Sequence, residues 1–197
     1  MLVKKLWIIM KYLYNRAMNY LFWASDRKKK ERAKKIFEQL ESKIAVSQQI
    51  LNVGCGEGYL EKIILENYSP AITGIDMEKP ETYPTQFIAG DFETIDFEEQ
   101  RFDIIIFSLS LHHVKNPKAA LRKAKELLKD DGLLFILEIA PKTNFLKTLL
   151  FKTRILCLDR IHTWTETELK SLITSAGLKI IKEHLVPVQG IIIHAEK

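Results

Sequence analysis

Apolar residues recur along this chain at two different spacings. From residue 49 onward, short unbroken apolar runs alternate with longer stretches whose apolar positions fall three and four apart. The runs "QILNV" (49–53), "AITGID" (71–76), "QFIAGD" (86–91), "RFDIIIFSLS" (101–110) and "LLFILEI" (133–139) predict strands, most of them covered on both faces. Between the first two, "GYLEKIILENY" (58–68) places Leu60, Ile63, Ile64 and Asn67 on one helical stripe. "NPKAALRKAKELLKDDG" (116–132) predicts a helix capped by Asn116, with Pro117 in its first turn and Gly132 as its stop. "TETELKSLITSAG" (165–177) predicts another, opened by a capping box of Thr165 and Glu168 and closed at Gly177. "LKIIKEHL" (178–185) and "GIIIHAEK" (190–197) read as two final strands around a Pro-containing link. Such alternation predicts an α/β fold, a mainly parallel sheet with helices on both faces. Ligands of these sheets bind at the C-terminal ends of the strands.

The first 24 residues break this rhythm. They are mostly apolar, but Lys4, Lys5, Lys11 and Arg16 interrupt them. The longest uncharged stretch, 17–25, is far short of the roughly 18 residues that suggest a membrane span. Lys11 also cuts the apolar region too early for a secretion signal. The pattern predicts one or two amphipathic helices followed by the basic run "RKKKERAKK" (27–35). The simpler reading is a cap helix packed on the domain, with solvated lysines beyond it. The sharper one is peripheral contact of residues 1–35 with a membrane surface, or a substrate-entry helix. Residues 1–44 are thus read as an amphipathic, basic segment and 45–197 as the main domain.

Charge sharpens that division. Of the net +5, residues 1–35 carry +9 and residues 36–197 carry −4. A mildly acidic main domain argues against a broad nucleic-acid surface. Cys55 and Cys157 are the only cysteines, so no disulfide framework and no metal site are expected, and a reducing, cytoplasmic setting is the simplest.

The stretch "ILNVGCGEGYL" (50–60) puts Gly54, Gly56 and Gly58 at alternate positions directly after the first strand. Glycine there weakens local structure, so the loop serves a sharp turn or a close backbone approach. A phosphate-binding P-loop requires G-x-x-x-x-G-K-[ST], which the chain lacks. A dinucleotide loop requires G-x-G-x-x-G, and the last glycine would fall on Tyr59. Asp76 follows Gly54 by 22 positions and closes the second strand, near the spacing of about 20 at which an acid reaches ribose hydroxyls. Asp91 closes the third strand in the same way. Each aspartate alone is as well explained as a turn or cap residue; the combination with the glycine loop points to a nucleoside-containing cofactor.

Several stretches, in order, resemble the class I S-adenosyl-L-methionine (SAM)-dependent methyltransferases, in particular the type-11 (UbiE-like) small-molecule group. They are "ILNVGCGEG", "TGIDM" (73–77), "AGDFETIDF" (89–97), "FDIIIFSLSLHHV" (102–114) and "LLKDDGLLFILE" (127–138). The resemblance covers roughly residues 45–197. It implies a Rossmann-like fold with a seven-stranded, mostly parallel sheet and an antiparallel last strand. It also implies a SAM site built from Asn52, Gly54, Cys55, Gly56 and Gly58, with Asp76 on the ribose and Asp91 on the adenine amine. Met77 and the ring of Phe92 would flank the adenine, and Ser108 and Leu109 the methionine end; S-adenosyl-L-homocysteine (SAH) would be the product. The family often has Asp where this chain has Asn52, so charge toward the cofactor's ammonium is reduced. Cys55 is read as a small loop filler rather than a nucleophile.

Methyl transfer from a sulfonium is an in-line displacement in which the protein mainly supplies alignment. A base is needed only where the acceptor must lose a proton. His112 and His113, at the fourth strand's exit, are the candidates, against the plainer reading that both only fix the loop. His162 is a further residue of the acceptor side, while His184 and His194 read as structural. The segment around 140–164 interleaves Phe145, Leu149 and Phe151 with Lys147 and Arg154 and reads as a lid, which suits a small hydrophobic acceptor. Two other classes compete: an RNA methyltransferase using the basic N-terminus, and a non-catalytic SAM-binding protein. Against the first, "FSLSLHHV" lacks the Asn/Asp-Pro-Pro-aromatic motif of base amino-group methylation. A nicotinamide dehydrogenase stands further off.

Overall fold

A computed structural model describes residues 25–140, 142, 162–186 and 190–197. Residues 1–24, most of the expected lid, and Cys157 lie outside them. The elements run α1 (Asp26–Ile44), β1 (Gln49–Val53), α2 (Tyr59–Asn67), β2 (Ala71–Asp76), β3 (Gln86–Ala89) and β4 (Phe102–Ser108). There follow a short 3-10 turn (Leu111–His113), α3 (Pro117–Leu127), β5 (Leu128–Ile139), α4 (Glu166–Ser175), β6 (Lys179–Val186) and β7 (Gly190–Glu196).

The strands form one sheet in the order β3-β2-β1-β4-β5-β7-β6. β1 pairs in parallel with both β2 and β4, while β7 runs antiparallel to β5 and β6. The expected mostly parallel sheet with an antiparallel last strand is therefore present. Chain order reverses between β1 and β4, and the crevice beyond their C-terminal ends is where such a sheet opens to ligands. Central strands are buried along nearly their whole length, Ile104 to Phe107 having no exposure. Such residues read as unbroken apolar runs for that reason.

Two core layers flank the sheet. One joins Leu51, Phe107 and Leu134 to α3 and α4 through Leu121, Ala124, Leu169 and Ile173. The other joins Ile50, Ile72, Ile104 and Phe135 to α2 and α1 through Leu60, Ile64, Ile36 and Leu40. The basic run 27–35 thus forms the opening turns of α1, whose Ala33, Ile36, Phe37, Leu40 and Ile44 are buried. Each of the four larger side chains, Ile36, Phe37, Leu40 and Ile44, contributes about 1.5–3 kcal/mol by leaving water. Among the described residues no helix is long and apolar enough to cross a membrane.

Three expected details change. The helix expected to reach Gly132 stops at Leu127, because Leu128 already pairs with Phe102 of β4. The register then jumps to Ile104 opposite Leu133, so residues 129–132 bulge out. Gly132 is needed there for space: a Cβ would lie 2.9 Å from the Lys129 carbonyl oxygen. On α2 the buried positions are Leu60, Glu61 and Ile64, whereas Asn67 is exposed and donates to the Ile63 carbonyl. The capping box at Thr165 and the Asn116 cap form as expected.

Candidate functional site

The glycine loop hangs on the second strand. Gly54 and Cys55 both donate their backbone N–H to the Ile75 carbonyl, at 2.7 and 3.1 Å. Gly54, Gly56 and Gly58 all take left-handed backbone conformations, with φ of 73°, 56° and 73°. At Gly54 a side chain is excluded twice over, since a Cβ would also sit 2.3 Å from the Ser110 Cβ. At Gly56 nothing lies within 4 Å of that position, so this part of the backbone is open to an incoming group.

Asp76 closes β2 and faces this loop. Its Oδ2 accepts the Gly56 N–H at 2.8 Å, and its Oδ1 accepts the Met77 N–H at 2.8 Å. The Gly90 N–H donates to the Asp76 carbonyl at 2.9 Å, which brings the two expected acids to neighbouring strand ends. The Asp91 carboxylate accepts the Glu93 N–H at 3.0 Å and lies 3.5 Å from the Lys115 ammonium. Met77 stands at the mouth, 68% exposed.

Phe92 is not at that mouth. The expected ring face for adenine is 3% exposed and packs on Phe97 and Phe107 at centroid distances of 5.9 and 5.5 Å. A large apolar ring gains more by joining that cluster than by lining a polar crevice. The Lys123 ammonium covers it at 5.1 Å and accepts its position by donating to the Phe92 carbonyl.

A cavity of about 130 Å³ lies beside the loop, lined among others by Arg32, Asn52, Gly54, Gly56, Tyr59 and Ser108. α1 supplies Arg32, which has no ion pair or hydrogen bond among the described residues, and whose pKa burial lowers. Lys29 of the same helix pairs with Glu57 at 2.5 Å and holds that carboxyl below its usual range. Leu109, at the exit of β4, is held at φ 56° while its N–H donates to Leu137. A non-glycine residue there stores strain, a common mark of a functional turn. A larger groove of about 560 Å³, between residues 93–101 and α3, contains none of the expected site residues.

Beneath the loop sits a buried polar cluster. The Asn52 Nδ2 and the Tyr83 hydroxyl both donate to Glu61 Oε1 at 2.7 Å. Glu61 is fully buried, and burial raises its pKa against the opposing effect of those two donors. Tyr83 is raised as well, by burial and by the charge of Glu61. Burial, followed by the charges of Glu61 and Asp76, pushes the Cys55 thiol up to about 12. Such a thiol holds its proton near neutral pH and is a poor nucleophile.

The expected histidines lie at the other side of the β4 exit. His112 is buried, with Nδ1 2.9 Å from both oxygens of Glu138, itself fully buried at the end of β5. His113 is exposed, its ring 4.1 Å from that of His112. His162 donates its backbone N–H to the His112 carbonyl at 3.1 Å and stacks on Trp164. His184 is exposed on β6 and His194 is buried on β7.

Glu138, Glu61, Tyr83 and Arg32 were not among the expected site residues. Glu138 closes the apolar run "LLFILE" just as Asp76 and Asp91 close theirs, so the same signal marks it. Arg32 is one cation in a basic run, and nothing local distinguishes it.

The residues fit the parts of SAM. Asn52 Oδ1 is buried with no hydrogen-bond partner among the described residues, an acceptor awaiting an ammonium proton. Arg32 suits a carboxylate, Gly56 leaves room for close approach, and Asp76 offers acceptor oxygens to a diol.

A family model described as a methyltransferase domain matches residues 22–183. Among curated relatives, an arginine-hydroxylase, NDUFAF5, of Danio rerio is 28% identical over 104 residues, covering 48% of this chain and 32% of its own length. A ubiquinone biosynthesis O-methyltransferase of Glaesserella parasuis is 32% identical over 105 residues, covering 45% of this chain and 44% of its own. The chain thus spans less than half the length of these relatives. Among solved structures, a 1,6-didemethyltoxoflavin-N1-methyltransferase of Burkholderia thailandensis with bound S-adenosylhomocysteine superposes with TM-score 0.67 at 19% identity. That match covers 95% of this chain and 89% of the other.

Proposed function

The chain belongs to the methyltransferase-domain family, and from that premise we propose that it transfers the methyl group of SAM to a small, hydrophobic acceptor. The observation that carries the reading is the glycine loop, hooked to Asp76 through the Gly56 N–H and opening on a cavity with an unpartnered Asn52 oxygen and Arg32. When bound, SAM supplies an electrophilic methyl group. The chain's own residues then have three tasks. Gly54 to Gly58 and Asp76 position the nucleoside side, with Asp91 beyond. Asn52 and Arg32 hold the amino-acid end. His112 takes a proton from the acceptor.

That last task follows from the Glu138 contact. With both carboxylate oxygens at 2.9 Å from Nδ1, the ring is fixed in orientation and a proton gained by it is stabilised. Such a base suits a hydroxyl acceptor, in keeping with the O-methyltransferase relative. The basic character of residues 1–35 suits an anionic membrane surface, where an apolar acceptor would be met, in a cytoplasmic protein.

The decisive assay is transfer of a labelled methyl group from SAM to lipid, polar-metabolite and RNA fractions. Label in the lipid or polar fraction is expected; label in RNA, or in none while SAM still binds, would overturn the acceptor class. A thermal shift with SAM and SAH but not NAD checks the cofactor first.

A further inference from the structure

Asn52 lines the cavity beside the glycine loop, and the structure places an acid directly behind it. The Asn52 amide gives its nitrogen to Glu61 Oε1 at 2.7 Å, leaving its oxygen as the buried, unpartnered atom. Glu61 Oε2 is the other unpartnered oxygen of the cluster among the described residues. With one amide N–H committed to Glu61, the orientation of the Asn52 amide is set, and its oxygen is the acceptor left for a ligand.

The cluster is built at some expense to the neighbouring strand. Tyr83 reaches Glu61 by passing over Gly74 of β2, where a Cβ would lie 1.9 Å from the Tyr83 hydroxyl and 2.8 Å from the Cys55 sulfur. A fully buried carboxyl group with one unpartnered oxygen is costly unless something it serves repays it. Glu61 lies two bonds of a hydrogen-bonded chain from any donor received by Asn52, close enough to act on a cation through a low-dielectric interior.

We propose that Glu61 is the positioning residue for the ammonium of the bound ligand: it fixes Asn52 with its oxygen toward the ligand and supplies from behind it the negative charge that Asn52 lacks. This rests on the SAM reading above and adds to it a place for the acid. Arg32 and Lys29 line the same cavity from α1, so an acid on the β1–α2 side also keeps the ammonium end and the carboxylate end of the amino acid apart. Burial raises the Glu61 pKa in the free protein, and an ammonium nearby draws the group back to its ionised form.

The test is calorimetry with two probes, SAH and methylthioadenosine, which share the nucleoside but differ in the amino-acid tail. Glu61→Gln keeps the shape and the acceptor oxygen while removing the charge. It is expected to weaken SAH about tenfold and methylthioadenosine less than about twofold. An unchanged SAH-to-methylthioadenosine ratio in a folded Glu61→Gln protein overturns the proposal. The wild-type protein gives an independent readout should that variant not fold. Tyr83, Cys55 and Asp76 face Glu61 or its neighbours; Asp76 acts on the shared nucleoside and cancels in the ratio, while Tyr83 and Cys55 keep their protons. The ratio is therefore expected to fall as pH drops from about 8 to about 5, and a flat ratio overturns the proposal. If wild type binds neither probe, the SAM reading itself fails.

Discussion

Two glutamates of this chain, Glu61 and Glu138, are both fully buried, yet their surroundings are opposite. Both oxygens of Glu138 are engaged, by the His112 ring at 2.9 Å and by the backbone N–H groups of His112 and Ile139 at 3.3 Å. Glu61 has two donors on one oxygen and none on the other. A carboxylate closed on every side fixes its neighbour, which suits a side chain that must hold a base in one orientation. A carboxylate left open beside an unpartnered amide oxygen is arranged for a group that arrives later. An orphaned buried polar atom costs about 1–3 kcal/mol, so a fold keeps one where a ligand satisfies it.

The most disruptive way to break this contrast is Gly74→Ala. The new methyl group would strike the Tyr83 hydroxyl and the Cys55 sulfur and expel Tyr83 from Glu61. Denaturant titration is expected to show a loss of about 3 kcal/mol, with the Glu138 side intact. Glu138→Gln acts on the other member. It is expected to lower turnover about a hundredfold while the affinity for SAH stays within about twofold. Equal loss of SAH binding would assign Glu138 a purely structural role.

A third buried group sharpens the contrast further. His194 packs its ring on Phe135 at 5.2 Å, and its Nε2 has no hydrogen-bond partner among the described residues. Burial, helped by the charges of Lys182 and His184, pushes it down from 6.5 to about 4. The unfolded chain therefore binds a proton that the native state refuses between those values. Stability is full above that window and falls as pH drops through it, by about 3 kcal/mol at its lower end. Thermal melts across that range check this, and His194→Met is expected to flatten the slope.

The smallest effect belongs to an exposed carboxylate. Glu57 pairs with Lys29 at 2.5 Å, but both side chains are substantially solvated. Glu57→Gln is expected to change stability by no more than about 0.5 kcal/mol in the same melts. A larger change would mean that this pair, rather than the buried ones, ties α1 to the loop.

Much of the candidate site was readable as a linear pattern. Gly54, Asp76 and Asp91 lie at or just past strand ends, with Gly56 and Gly58 in the loop that follows, and strand ends meet at one edge of a parallel sheet. His112 was legible on the same ground. Phe92 misled because an aromatic next to a strand-end aspartate has two apolar destinations, and the larger cluster of Phe97 and Phe107 took it. Glu61 was hidden because a carboxylate beside an apolar helical stripe reads as solvated until its neighbours are known.

The sequence by itself determined the order of strands and helices, the glycine loop and the acids that end the strands. These rest on periodicity, backbone freedom and local caps, which act between near neighbours in the chain. Only the tertiary structure decided which carboxylates are closed and which are open. Glu61 meets Asn52 and Tyr83, and Glu138 meets His112, across 9 to 26 positions of chain. Hydrogen bonding at such separations depends on sheet register and burial, and a low-dielectric interior makes those few contacts count for more than the many local ones.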